Sequence, residues 1–338
     1  EQELADTYYV LRQGTGVVIG VVVMFGCAYL PYSVWSRLSW PLLLISIGSL
    51  VLLILPWTES IAPSINGSRR WLRIGITVQP SEFAKIAIVV WTAGMAVKKV
   101  SQFRSLRRGL APFLVVWALL VLPIALEPDF STALLISLLG LLIVFSAGAR
   151  ISHFAFLGLL LAPIVYWQLV GVGFRAQRLL AWANPASDPA GAGFQAHQSL
   201  ITMGSGGITG VGIGQGRQKF AFLPEAHNDF IFSMIGEQWG LIGVLILLMM
   251  YVALVLVGFR IASRAPDLFG ELIALGFTSL IALQALLHMA VGLSLLPTTG
   301  LALPLVSYGR SNLIVTLASL GILMSVARVA PGVKAARA

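Results

Sequence analysis

In a chain of 338 residues that is only 10% charged, every carboxylate stands out, and the densest cluster is Glu225-Ala226-His227-Asn228-Asp229, directly after Leu223-Pro224. Pro224 suits the first position of a helix, which predicts a helix start with Glu225 and Asp229 one turn apart on one face. The positive end of that helix dipole favours ionised carboxylates there. Continuing at four-residue spacing, the stripe Asp229, Ser233, Glu237 cannot face lipid, and Gly236 and Gly240 permit a neighbour to approach closely. Two chemistries suit this pattern: an acidic helix start over a polar seam between helices, or a metal site using Glu225, His227 and Asp229.

Other polar residues interrupt apolar stretches, where ionisable groups are costly and mark function by default. Glu82 and Lys85 follow Gln79-Pro80-Ser81, so the helix starts at Pro80 and the two charges share a face. Glu127-Pro128-Asp129 breaks the apolar run from Leu110 to Phe145. We expect Glu82, Lys85 and Asp129 to form one buried network, since each alone is expensive in hydrocarbon. Gln284 and His288 share a face and are expected to hydrogen-bond between helices. Leu296-Pro297-Thr298-Thr299-Gly300 and Leu303 to Gly309 are too rich in Pro and Gly for one helix. They read as a re-entrant loop, which needs burial in protein or a cavity to line. Seven glycines between Gly204 and Gly216 do not match any phosphate-loop spacing and read as close backbone packing.

These residues are carried by a chain that is 58% hydrophobic, with a mean hydropathy of +0.91, which excludes a soluble globular protein. Stretches long enough to cross a membrane centre near Val21, Ser49, Val90, Leu119, Leu138, Leu160, Leu245, Leu283 and Leu320. The fold class expected is all-α: one integral membrane helix bundle over 1–338, with about nine transmembrane helices. The acidic stretch from Glu1 to Asp6 lacks the basic region of a signal peptide. Lys98, Lys99, Arg104, Arg107 and Arg108 share one side with Arg37, Arg150, Arg260, Arg264 and Arg328, and the positive-inside rule makes that side cytoplasmic. The loop over 171–228 then lies outside and is long enough to be structured. The net charge of +9 is spread between apolar runs, so it bespeaks membrane orientation and anionic head groups rather than nucleic acid. One cysteine, Cys27, excludes a disulfide framework.

Asn66 to Trp71, Gln79-Pro80-Ser81-Glu82-Phe83-Ala84-Lys85, Glu127-Pro128-Asp129, Asn184-Pro185 with Asp188-Pro189, Gln198-Ser199-Leu200, Leu223 to Phe232 and Pro304 to Gly309 together resemble the SEDS family, the bacterial shape, elongation, division and sporulation glycosyltransferases. The resemblance runs in order along nearly the whole chain. Ala226 and Leu296 to Leu301 are more like the division members. The family has ten transmembrane helices, and the resemblance implies that the first is absent here, because Tyr9 to Gln13 looks like the entry to the second. Departures are Asn228 for Thr, Gln238 for Glu, and Arg310-Ser311-Asn312 for Gly-Ser-Ser.

The resemblance implies polymerisation of lipid II, an undecaprenyl pyrophosphate-linked disaccharide-pentapeptide, into glycan strands at the outer face of the bacterial cytoplasmic (inner) membrane during cell division. Asp229 matches the family's catalytic aspartate and would be the general base, with Glu225 and His227 orienting it. Arg69, Arg70, Lys85, Arg217 and Lys219 would meet the pyrophosphate, Trp71 a sugar face, and Glu82, Asp129 and Ser307 complete the substrate-binding set. Arg217 or Lys219 is expected to point inward from a loop folded over Asp229. The resemblance implies no particular cofactor and leaves a divalent cation, magnesium or manganese, open. The partners implied are lipid II, a class B penicillin-binding transpeptidase of the FtsI type and other division proteins. A polyprenyl-lipid flippase and a noncatalytic scaffold for the transpeptidase are the alternatives.

Overall fold

The computed structural model describes residues 2–64, 68–171, 173–183, 193–216 and 228–329. In chain order the long elements are α1 (Gln2–Tyr29), α2 (Ser33–Ile54), a hairpin of β1 (Leu72–Ile74) and β2 (Ile76–Val78), α3 (Pro80–Lys99), α4 (Ala111–Leu126), α5 (Phe130–Ser146), α6 (Ile151–Val170), α7 (Gly173–Ala183), α8 (Phe194–Ser205), α9 (Ile231–Ser263), α10 (Leu268–Gly292) and α11 (Arg310–Val329). Helices occupy all nine positions expected to span. Among the described residues, seven are long and apolar enough to cross a membrane. The other two fall short for simple reasons. α3 carries Glu82, Lys85, Lys98 and Lys99, and α5 has 17 residues, roughly 25 Å against a hydrocarbon core of about 30 Å.

The chain divides into two compact units, one of Glu1–His153, Val255–Ile281 and Gly309–Ala338, the other of Phe154–Leu254 and Ala282–Tyr308. In the first, α1 lies along α11, α2 against α3, and α5 against both α3 and α4. The α1–α11 contact is close because a side chain at Gly321 would overlap the carbonyl of Met24, the small-residue device of helix pairs in lipid. The core between α3, α4 and α5 is aromatic: Trp91 and Phe113 meet edge to face. Trp117 donates to Thr92 Oγ1 at 3.0 Å, and a Cβ at Gly140 would lie 2.7 Å from its ring. α4 ends at Leu126, just ahead of Glu127 and Pro128, as the sequence requires. The hairpin has Leu72 opposite Val78 and Arg73 opposite Thr77, with Gly75 at φ 73° making its turn.

In the second unit the loop expected to be structured carries α7 and α8. The glycine run that follows α8 packs against α9, as expected. Val211 N donates to Glu237 O and Gly212 N to Gln238 O, while Leu241 N and Ile242 N donate to Gly207 O and Ile208 O. Gly206 lies so near the carbonyl of Gly236 that a Cβ would overlap it. The backbone of α9 is interrupted at Gly240, with φ 65°, and the glycine run satisfies the groups that this break releases.

Candidate active site

The site is built in the second unit from one turn and one irregular segment. The helix expected from Pro224 would include Asp229, but α9 begins at Ile231 and Asn228 and Asp229 occupy the turn before it, while Pro224 itself lies outside the described residues. Asn and Asp favour turns because their side chains compete for local backbone groups. Asp229 therefore stands just ahead of the helix N-terminus, where the dipole still favours its charge. Phe230 anchors the turn, buried with Met234 and Val291. Ser307 Oγ donates to Asn228 O at 2.7 Å and accepts from Leu303 N at 2.8 Å. Ser307, expected to touch substrate, thus holds the neighbour of Asp229 in place through the backbone.

The segment from Leu293 to Gly309 has no regular structure, yet Leu301, Leu303 and Ser307 are buried. Buried irregular backbone must find partners for its polar groups. Gln284 and His288 supply them: Gln284 Nε2 donates to Ala302 O at 2.9 Å and His288 Nδ1 to Leu301 O at 2.7 Å. Tyr251 donates to Pro304 O. The expectation of bonds between helices is corrected accordingly: these side chains serve the broken segment. Gly300, at φ 71°, brings that segment to Asp229, since a Cβ there would stand 3.7 Å from Oδ2. Further along the predicted stripe, Ser233 is buried with Ser199, their hydroxyls 2.7 Å apart, and Ser199 donates to Gly292 O at 2.7 Å. Glu237 is buried too, so Asp229 lies at the head of a polar seam.

The first unit holds the other group of charges. Lys85 is fully buried, and its Nζ donates to Glu82 Oε1 at 2.7 Å. Asn312 Nδ2 donates to Glu82 Oε2 at 2.9 Å, so both carboxylate oxygens are satisfied. Asn312 was seen in the sequence only as a departure from the family pattern; an amide in an apolar span was the available signal. Among the described residues, Asp129 bonds to neither Glu82 nor Lys85. Its Oδ1 accepts from Thr132 N at 3.2 Å, capping α5, because the break at Pro128 leaves the first amides of α5 in need of an acceptor.

Arg70 clamps the same corner, donating to Glu127 O at 3.0 Å and Pro128 O at 2.9 Å. Glu127 is buried, and neither carboxyl oxygen has a hydrogen-bond partner among the described residues. Burial, then the neighbouring Asp129, push its carboxyl up to about 8, against the opposing pull of Arg70. Arg69 donates to Leu55 O at 3.2 Å and pairs with Glu59, and Trp71 is half-buried. Both arginines thus engage protein groups. Arg217, Lys219, Glu225 and His227 lie outside the described residues, so the expected inward turn of the outer loop does too. Among the described residues no three His, Cys, Asp or Glu side chains gather to hold a metal.

Comparison with known proteins agrees with the resemblance. The model of the FtsW/RodA/SpoVE family, described as "Cell cycle protein", matches residues 2–331. A "Probable peptidoglycan glycosyltransferase FtsW" of Geobacter metallireducens is 41% identical over 320 residues, covering 94% of this chain and 84% of that protein. "Stage V sporulation protein E" of Bacillus subtilis is 38% identical, covering 95% and 87%. Among solved structures, a chain from work described as "Structural coordination of polymerization and crosslinking by a peptidoglycan synthase complex" superposes with a TM-score of 0.81 at 27% identity, over 97% of this chain and 92% of that one. Thermus thermophilus RodA superposes at 0.68 with 28% identity, over 96% and 89%. With its apolar spans, its broken buried segment and this match from end to end, the chain belongs to the FtsW/RodA/SpoVE family of multi-pass membrane proteins.

Proposed function

We propose that this protein polymerises lipid II into glycan strands at the outer face of the bacterial cytoplasmic membrane, with Asp229 as the general base, in cell division. The observation that carries the reading is Asp229 itself. It is a carboxylate in a turn fixed from two sides, by the Ser307 bond to Asn228 O and by the approach of Gly300, at the head of a helix in an apolar chain. In the reaction the carboxylate takes the proton of the acceptor sugar hydroxyl, the oxygen forms a bond to the anomeric carbon of the donor, and the carbon–oxygen bond to the diphosphate breaks. The diphosphate leaves with that electron pair. The developing positive charge at the ring resembles that of other glycosyl transfers, and the base contributes about 10²- to 10⁴-fold.

Arg69 and Arg70 hold protein groups, so the leaving diphosphate falls to Arg217 and Lys219, with Glu225 and His227 orienting Asp229. The buried pair Glu82–Lys85 and the capping Asp129 support the first unit, and Trp71 offers a face to a sugar. A divalent cation is compatible with the diphosphate, and no step here depends on one. A class B transpeptidase of the FtsI type is the proposed partner, together with other division proteins. The test is Asp229→Asn in a lipid II polymerisation assay on purified protein, with the transpeptidase present. Loss of at least a hundredfold, with partner binding unchanged, is expected. Retention of more than a tenth of the turnover removes the base assignment, and a flippase or scaffold then accounts better for the broken segment.

A further inference from the structure

A cavity of about 560 Å³ opens in the first unit, lined by Leu11, Arg12 and Thr15 of α1, Arg73, Gly75 and Thr77 of the hairpin, and Arg310 of α11. It brings three guanidinium groups together, and no carboxylate is among its described lining residues. Arg73 and Arg310 make no ion pair among the described residues. The local structure explains the convergence. Arg73 and Thr77 are directly opposite each other across the hairpin, so they share its face. A Cβ at Gly16 would stand 3.0 Å from the side chain of Arg310, so that glycine lets Arg310 lie against α1. The Gly309 amide, one residue before α11, donates to Gln13 Oε1 at 3.3 Å and fixes the helix start beside the pocket.

Position relative to the spans decides what kind of anion this pocket takes. Both helices that contribute arginines are candidate membrane spans, Val10–Tyr29 and Arg310–Val329. Arg12 and Arg310 lie at the first residues of those spans, the depth at which lipid head groups sit. From the pocket a stripe of exposed apolar side chains runs along α1, with Leu11 at 64%, Val18 at 65% and Val22 at 66% exposure. At spacings of seven and four residues these share one face. They span roughly 16 Å, at 1.5 Å per residue, which is the run of an acyl or prenyl chain lying on the helix. A free phosphate has no use for that stripe. Guanidinium forks match phosphate oxygens geometrically, and the volume lies within the range of about 300–1,000 Å³ for ligand pockets.

We propose that the pocket formed by Arg12, Arg73, Thr77 and Arg310 binds the phosphate head group of a membrane lipid whose tail lies along Leu11, Val18 and Val22. Phosphate is the shared chemistry of two sources, an anionic phospholipid of the bulk membrane and a polyprenyl diphosphate carrier. This goes beyond the polymerase reading, and its readout is binding, independent of polymerisation.

The experiment is native mass spectrometry of the full chain in neutral micelles doped in turn with phosphatidylglycerol, undecaprenyl diphosphate and phosphatidylcholine. Arg73→Gln/Arg310→Gln is compared with Arg73→Lys/Arg310→Lys and the unaltered protein. The unaltered protein is expected to retain at least one of the two anionic lipids over phosphatidylcholine. The glutamine variant should lose that retention at least tenfold and the lysine variant keep more of it. Preference for phosphatidylglycerol assigns the site to bulk lipid, and preference for the diphosphate assigns it to the carrier. Equal retention of all three lipids, or retention unaffected by the glutamine variant, overturns the proposal. Because Arg73 is exposed, Arg73→Gln alone serves if the double variant does not fold, and a loss of at least threefold is expected from it; unchanged retention there also overturns the site.

Discussion

Lys85→Met tests the reasoning about buried charge most directly. The ammonium has no solvent exposure and sits 2.7 Å from Glu82 Oε1, while Asn312 holds the other carboxylate oxygen at 2.9 Å. Removing the ammonium leaves a buried carboxylate with a neutral amide donor and no counter-charge there. Breaking a buried pair from one side costs about 3–5 kcal/mol. At about 2 °C per kcal/mol for a long chain, the melting temperature should fall by roughly 6–10 °C. Replacing both partners, Glu82→Leu with Lys85→Met, removes the stranded charge and should recover most of the loss, because hydrophobic replacement of a whole buried pair is close to neutral. The assay is thermal unfolding of the purified protein in one detergent, for both singles and the double. If Lys85→Met melts with the unaltered protein, or the double variant melts no higher than the Lys85 single, the pair is not the source of stability claimed for it.

Ser307→Ala should cost about 1–3 kcal/mol, since it strips a partner from Leu303 N and Asn228 O, and should lower polymerisation at least tenfold by loosening the turn that carries Asp229; a lipid II gel assay with unaltered turnover counts against that positioning role. Glu127 is raised in the fold from 4.5 to about 8, so the folded state binds its proton more tightly. Its contribution is complete below about pH 4.5 and is lost as pH rises through 8; melting temperatures from pH 5 to 9 should fall, and Glu127→Gln should flatten the curve. Gly206→Val forces a side chain into the Gly236 carbonyl and should lower the melting temperature by several degrees, at about 1–3 kcal/mol for overpacking, while Gly204→Ala, whose Cβ meets nothing within 4 Å, should not.

Seven of the nine expected helices were legible because a membrane span needs only length and apolarity, and both are local; α3 and α5 fall short of that measure yet still showed as apolar stretches. The break at Pro128 was legible for the same reason, since proline acts on its own helix. What the sequence misplaced were the partners of polar side chains. Gln284 and His288 have helical spacing, which predicts a shared face, but nothing in that spacing says whether the face meets a helix or an irregular segment. Asp129 looks like a member of a charge network until the break beside it exposes the amides of α5, which take its carboxylate first. The helix expected to include Asp229 starts only at Ile231 through the same competition. Asn228 and Asp229 form a turn, and the Asn228 carbonyl is claimed from 79 residues away by Ser307.

Within the second unit, these misplacements share one physical cause. Where a chain leaves regular structure inside an apolar environment, every freed amide and carbonyl needs a partner, and the side chains that supply it stop being available to substrate. Ser307, Gln284, His288 and Tyr251 all serve the irregular segment in this way. The return is rigidity: Leu301, Ala302 and Asn228 are held through their carbonyls, so the turn that carries Asp229 and the segment beside it are fixed at the backbone. A general base acts only when it is within hydrogen-bond reach of the proton it takes, and misplacement by an ångström can cost a hundredfold. Substitutions in the supporting residues should therefore lower turnover more than apparent substrate affinity, whereas substitutions in groups that touch the diphosphate should do the reverse.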